Sequence, residues 1–332
     1  MTFSPSVCEE TLSALIRPTQ VLGESTSMGE VFKRACATQH FLSRIFPLKE
    51  ITRRTTQNKR TLLALKVIAL LVALFTAHRT YNWHDVNTRQ LIVVVVPSRS
   101  QDNWISAEDA SVVARLIPSL KNSLTPRELQ KYSVELLVAF DAGDPFWEEP
   151  SVISKVEERS TTLKLPIHFL SVQKMPRIPF NEACRAAYDL GAEYIIRVND
   201  DTEFRGRAWL TAAIRVLESF NPPRIGVVGP TCNQGNKRIL THDMVHRTHL
   251  DIFGDYYPPE FYNWWLDDWI SQVYGVERTR KLRTWVVVHA TSRYGTRYEP
   301  NISQKELLPL VLVRSKQQLI AYLEARAHGT AG

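Results

Sequence analysis

The sequence predicts an α/β domain with a largely parallel central sheet flanked by helices, and three observations support that expectation. Leu91–Val96, LIVVVV, is an unbroken apolar, mostly β-branched run of strand length, the composition of a strand buried on both faces. Strand-like and helix-like segments then alternate along the chain, as βαβ units require. Each strand-like segment ends in polar or acidic residues, and in open α/β sheets ligands bind beyond the carboxyl ends of the strands.

Leu91–Val96 stops at Pro97-Ser98-Arg99-Ser100. Ala107–Asn122 has helical periodicity, and Val134–Phe140, VELLVAF, reads as a strand ending at Asp141-Ala142-Gly143-Asp144. Ser151–Ser160 is helix-like and Ile167–Val172 is a short strand. Phe180–Leu190 is helical, with Gly191 placed as its C-terminal stop. Tyr194–Val198 is the next strand and runs into Asn199-Asp200-Asp201-Thr202. Beyond it come a helix over Trp209–Phe220 and a strand over Ile225–Val228, leading into Gly229-Pro230. A polar, aromatic-rich stretch follows to Pro259, then a helical pattern over Phe261–Val273. Trp285–His289, WVVVH, is a strand, and Gln304–Arg326 holds one or two closing helices. No internal repeat is present.

With 44% hydrophobic and 23% charged residues, the chain of 332 residues can bury a sizeable core. Its net charge of +7 forms no nucleic-acid tail, and no zinc-finger or RNA-binding signature accompanies it, so no nucleic-acid partner is expected. Thr61–Ala77 is the most apolar stretch and follows Lys49, Arg53, Arg54, Lys59 and Arg60. It predicts a transmembrane anchor with its basic flank in the cytoplasm and Lys66 snorkelling to the interface. A buried or interfacial helix is the alternative. The expected layout is a flexible basic cytosolic tail over 1–60, an anchor over 61–78, a stem over 79–90, a main domain over 91–326 and a disordered end over 327–332. The domain would then be lumenal, and the short span favours the Golgi. Asn301-Ile302-Ser303 would be an N-glycosylation acceptor there, and Cys184 and Cys232 would be free to form a disulfide or to stay reduced.

Asn199-Asp200-Asp201 sets two adjacent carboxylates at the end of a buried strand. They repel and lose hydration, so Mg²⁺ or Mn²⁺ bound through oxygen and bridged to substrate phosphate would compensate. A turn in which an Asp caps the next helix, helped by Thr202, is the plainer reading. In Asn263-Trp264-Trp265-Leu266-Asp267-Asp268-Trp269, helical spacing puts Trp264 with Asp268, and Trp265 with Trp269. An acid beside indole surface gains basicity, and aromatic faces suit sugar rings. Core packing by the tryptophans, with solvated acids, explains the same residues.

The run Phe180-Asn181-Glu182-Ala183, Ala187, Gly191–Ile196 and Asn199-Asp200-Asp201 resembles the GT-A fold glycosyltransferases, especially family-2-like members, over about Leu91–Arg293. The resemblance implies a Rossmann-like GT-A domain that moves a sugar from a nucleotide-diphosphate donor to a glycan, glycoprotein or glycolipid acceptor. It implies that Pro97, Ser98, Arg99 and Asp141 cradle the nucleotide, with Asn181, Asp200 and the Gly229–Gly235 loop around it. Leu266-Asp267-Asp268 is similar to the family's acidic motif, with Asp268 as the base and Asp267 beside it in place of the usual Glu. Asp201 would be the principal metal ligand and His289 its partner, while Asn199 departs from the acidic first position of the motif. Arg197 or Arg99 would add charge at the leaving group. Tyr256, Tyr257, Trp264 and Trp265 are the expected acceptor contacts.

Two other readings compete. His242 and His246, four apart, with His249 shortly after, would bind zinc if the segment were helical, with Asp243 as the base of a hydrolase. A non-catalytic sugar- or nucleotide-binding scaffold on the same fold is the third.

Overall fold

The computed structural model describes residues 89–234, 236–289 and 302–328. The expected tail and anchor, nearly all of the stem, Asn301 and residues 329–332 lie outside them. Among the described residues no helix is long and apolar enough to cross a membrane. The chain divides into two units, Met1–Tyr81 and Asn82–Gly332, and the second holds everything described below.

Eight strands form one sheet: β1 (Gln90–Pro97), β2 (Tyr132–Asp141), β3 (Ile167–Val172), β4 (Tyr194–Arg197), β5 (Thr202–Phe204), β6 (Val227–Cys232), β7 (Asp243–His246) and β8 (Thr279–His289). Their order is β3-β2-β1-β4-β7-β6-β8-β5. The pairs from β3 to β4 are parallel, as is β6 with β8, whereas β7 runs antiparallel to both β4 and β6, and β5 to β8. The largely parallel sheet expected from the sequence is therefore corrected to a mixed one. The reason is β7, Asp243-Met244-Val245-His246, whose polar ends hide a fully buried strand.

The helices are α1 (Ile117–Ser123), α2 (Pro126–Lys131), α3 (Pro150–Leu163), α4 (Phe180–Asp189), α5 (Trp209–Glu218), α6 (Thr248–Phe253), α7 (Leu266–Val273) and α8 (Leu308–Ala327). β1 divides two cores by its alternation. Ile92, Val94 and Val96 face one, with Leu116, Trp147 and Trp209; Val93 and Val95 face the other, with Cys184, Tyr256 and Trp269. Each such fully buried aliphatic chain contributes about 1.5–3 kcal/mol, so β1 is fixed as the spine of the domain.

Local chemistry sets the ends of the elements. Thr125 Oγ1 accepts from Glu128 N while Glu128 Oε2 accepts from Thr125 N, which starts α2 with a capping box. Glu128 Oε1 also accepts from Thr211 N, tying α2 to α5. Gly191, with φ +90°, stops α4 as expected. Over 107–122 the periodicity is helical, but the backbone passes through a 3₁₀ turn (Ala107–Asp109) and a π turn (Val112–Leu116) before α1. Pro118 has no N–H to donate, and just before it Ile117 N reaches back to Val112 O in the wider π pattern. The helix expected over Phe261–Val273 begins only at Leu266, because Trp265 adopts left-handed φ +70°. Trp264 and Trp265 therefore precede the helix, and the Trp264–Asp268 pairing on one helical face does not form.

Candidate active site

The carboxyl edge of β1, β2 and β4 gathers most of the acidic residues singled out by sequence. β4 ends at Arg197, and Thr202 N donates to Asn199 O to close a tight turn into β5. That turn buries Asp200 and Asp201, both 1% exposed. Ser98 Oγ, from the end of β1, donates to Asp200 Oδ2 at 2.8 Å. Arg99 donates through Nε to Asp141 Oδ2 at 2.8 Å, joining the ends of β1 and β2. Pro97 is the buried last residue of β1 and aligns with Ala139.

β5 pairs with β8 through Thr202 opposite His289, and this register carries the imidazole to Asp201. Asp201 Oδ1 lies 2.9 Å from His289 Nε2. The approach lacks hydrogen-bond direction, and that buried oxygen has no hydrogen-bond partner among the described residues. Neighbouring ligands of an octahedral Mg²⁺ or Mn²⁺ stand about 3 Å apart, since metal–oxygen distances are about 2.0–2.1 Å. Asn199 Nδ2 is 3.0 Å from the same ring nitrogen. The orphaned carboxylate oxygen and the imidazole fit a divalent cation completed by phosphate and water. Among the described residues no group of three or more His, Cys, Asp or Glu could hold a metal, but these ions need only one or two protein ligands when phosphate supplies the rest.

Behind this pair lies His242, fully buried, with Nε2 at 2.7 Å from Thr202 Oγ1 and its ring edge-on to His289 at 5.6 Å. Burial pushes its pKa well down, with help from His289 and Arg197, so it stays neutral. His242 precedes β7, His246 ends it and His249 sits on α6. Four residues of extended chain separate His242 from His246 by about 13 Å, too far for one metal ion. The zinc-hydrolase arrangement is thus excluded. His249 is occupied as well, with Nδ1 at 2.8 Å from Tyr274 Oη and Nε2 at 2.8 Å from Tyr256 O.

The second acidic group stands at the start of α7. Asp267 accepts from Arg197 Nη2 at 2.6 Å, and the same nitrogen donates to Asp243 Oδ2 at 2.6 Å. Arg197 also donates to Tyr257 Oη and Thr241 O. Tyr256 and Tyr257 hydroxyls donate to Asp243 Oδ1 and Oδ2 at 2.5 and 2.8 Å. Arg197 is 3% exposed and Asp243 wholly buried, so a charged pair is sealed in the core beneath α7. Burial raises the Asp267 pKa, Arg197 opposing it. Burial also raises that of Asp268, and the neighbouring Asp267 charge raises it further. No other side chain hydrogen-bonds Asp268 among the described residues; it is half-buried and raised in basicity, as a general base needs to be.

Several expected contacts are corrected. Arg197 is committed to protein through four hydrogen bonds, so it holds Asp267 instead of a leaving group. Asn181 does not face a nucleotide: its Nδ2 donates to Tyr257 O and its Oδ1 accepts from Tyr257 N, both at 2.8 Å. Tyr257 itself is 1% exposed, part of the Arg197 network and not an acceptor contact. Gly229 lies within β6, where a Cβ would meet His242 O at 2.5 Å; close packing of strands requires glycine there, not a nucleotide loop. Trp264 is 47% exposed and available to a ligand, whereas Trp265 packs on the second core with Lys305 Nζ over its ring. Cys184 and Cys232 are both free thiols.

Sequence reasoning missed Asp243 as a partner of Arg197 and the structural role of His242, and it placed the buried Tyr256 against an acceptor. The Asp243 to His246 segment has no apolar run to mark a strand, so only the acid's wholly buried position would have revealed it.

No family model matches the sequence, and no curated protein matches it either. Solved structures resemble the fold. TarS 1–349 of S. aureus in complex with UDP has 13% identity and a TM-score of 0.42, and the match covers 62% of this chain and 62% of that one. A mannosyltransferase of Pyrobaculum calidifontis, in complex with GDP-Man and Mn²⁺, has 17% identity and a TM-score of 0.43, covering 78% of this chain and 86% of that one. Glycosyltransferases of the GT-A fold thus stand among the structures similar to this chain. So does a cytidylyltransferase of Leptospira borgpetersenii, with 12% identity, a TM-score of 0.36 and coverage of 59% and 76%.

Proposed function

We propose that the chain is a metal-dependent glycosyltransferase that moves a sugar from a nucleotide-diphosphate donor to an acceptor hydroxyl with inversion. The observation that carries the reading is the orphaned Asp201 Oδ1 beside His289, with Asp267 of α7 close enough for the imidazole's charge to act on it. Asp201 and His289 would hold Mn²⁺ or Mg²⁺, which supplies Lewis-acid stabilisation of the diphosphate as it leaves. Ser98, Arg99 and Asp141 stand at the strand ends where the nucleotide would lie. Asp200 is tied to Ser98 and supports the turn.

Asp268 takes the proton of the acceptor hydroxyl as the oxygen forms its bond to the anomeric carbon. The bond from that carbon to the diphosphate breaks, and the nucleoside diphosphate carries the electron pair away. Asp267, fixed by Arg197, keeps its charge beside Asp268 and maintains its basicity. A carboxylate base on the attacking face makes a single displacement, hence inversion. Trp264 is the exposed aromatic surface offered to the acceptor sugar. The anchor at Thr61–Ala77, with a lumenal Golgi domain and a glycan, glycoprotein or glycolipid acceptor, belongs to the same proposal.

The test is a screen of the purified protein against several nucleotide sugars, with and without Mn²⁺. Thermal stabilisation by one donor, abolished by chelator, supports the reading and names the sugar. Stabilisation by no donor at any metal concentration refutes it.

A further inference from the structure

Around the first half of β8 stand cations that no carboxylate answers among the described residues. Arg280, Lys281 and Arg283 lie on β8, Arg278 just before it, Lys237 and Arg238 on the loop leading to β7, and Arg207 beside Thr284. All but Arg278 are exposed. Lys281 Nζ donates to the carbonyls of Lys237 and Ile239, each at 2.8 Å, and so sets loop and strand side by side. A Cβ on Gly206 would come within 2.4 Å of Thr284 O, which brings the Arg207 segment against the same stretch.

Other arginines of this domain are paired: Arg99 with Asp141, Arg115 with Glu203, Arg177 with Glu182, Arg224 with Glu218 and Arg314 with Glu260. None of the seven cations has a carboxylate partner among the described residues. Like charges held together in this way repel, and an external polyanion relieves that repulsion while releasing its own counterions.

The patch is joined to the candidate site through Asn233 on one side and Leu240 on the other. At one end Asn233 N donates to Val287 O and Asn233 Oδ1 accepts from His289 N. At the other, Leu240 N donates to Ser271 Oγ on α7. Lys237 and Arg238 therefore ride on a span fixed to the metal side and to the base side of the site.

We propose that this basic surface, centred on Lys237, Arg238, Lys281 and Arg283, holds an anionic glycan, the acceptor chain leaving the site. The proposal rests on the glycosyltransferase reading for the role of that glycan and adds its charge class, a carboxylated or sulfated sugar chain.

The test measures binding of the full chain to heparin, hyaluronan, neutral dextran, a DNA duplex and vesicles of equal parts phosphatidylcholine and phosphatidylserine, over a range of salt. Heparin and hyaluronan separate sulfate from carboxylate recognition, and one of them is expected to bind while dextran does not. Lys237→Gln with Arg238→Gln should weaken that binding about tenfold and flatten its salt dependence by about one logarithmic unit per cation removed. Arg283→Gln should act in the same direction, and Arg314→Gln, whose arginine is paired, should change neither quantity. Unchanged binding in the patch variants, equal loss in Arg314→Gln, or tighter binding to DNA or vesicles than to either glycan overturns the proposal. Donor hydrolysis without acceptor should be the same in all these variants. If the wild type binds an anionic glycan yet turns over no nucleotide sugar, the proposed reaction falls while the surface stands.

Discussion

Replacing Arg197 with methionine removes a buried cation while keeping most of the side-chain volume. The loss leaves Asp243 wholly buried with two tyrosine hydroxyls but no counter-charge. Breaking one partner out of a buried pair costs about 3–5 kcal/mol. The Asp267 arm adds less than about 1 kcal/mol, because that side chain is 34% exposed and water screens the pair. In a domain of this size each kcal/mol lowers Tm by about 2–4 °C, so the variant should melt about 6–20 °C below the wild type. Thermal melts of the wild type, Arg197→Met and Arg197→Met/Asp243→Asn measure this. The double variant should recover part of the loss, because no unpaired buried charge remains. A drop in Tm under 2 °C, or a double variant that adds the two single losses, would refute the idea that Arg197 exists to neutralise Asp243.

Asp268→Asn should lower transfer by about 10²–10⁴-fold while donor binding, read by thermal shift, is retained. Asp267→Asn removes the charge that raises Asp268, so the acidic limb of the kcat/KM profile should move to lower pH; a limb that stays in place rejects that coupling. Asp201→Asn and His289→Ala should each abolish the part of donor stabilisation that chelator removes, and a metal response identical to the wild type speaks against both ligands. Gly229→Ala drives a methyl against His242 O at 2.5 Å and should cost about 1–3 kcal/mol in denaturant unfolding, whereas a nucleotide-loop glycine would alter donor affinity first.

How much of this was legible in the sequence depended on whether a residue's environment is written locally. β1 was plain because Ile92–Pro97 is buried on both faces, so the run from Leu91 to Val96 is unbroken apolar. β3 was found at its observed bounds, as its turn residues flank it closely. β8 was recognised only in its second half; TRKLRT opens the strand with exposed polar residues that carry no strand signal. β7 stayed hidden because its end residues are buried through long-range partners, Asp243 through Arg197, and such compensation leaves no pattern in the sequence. At the site, Asp201 and His289 stand 2.9 Å apart, and Asp268 stands in the first turn of α7. Asn181, Arg197 and Tyr257 were expected to touch ligand and instead grip one another's elements. Residue type alone cannot tell a hydrogen bond made to substrate from one made to the protein.

The Asn181 clamp on Tyr257 has a consequence for how the site can change. Upstream of α7, the chain is pinned at Tyr257 by both backbone hydrogen bonds to Asn181 and by the hydroxyl in the Arg197 network. It is pinned again at Leu266, where α7 enters the core. Between those fixed points Tyr262 and Trp264 face solvent, 38% and 47% exposed. Phe261 and Trp265 pack on the second core, so the side chains of Tyr262 and Trp264 are interchangeable panels in a rigid frame. In the proposed transferase, those two side chains can be exchanged to suit a different acceptor while the carboxylates of α7 keep their position, so substrate preference and chemistry are open to separate adjustment.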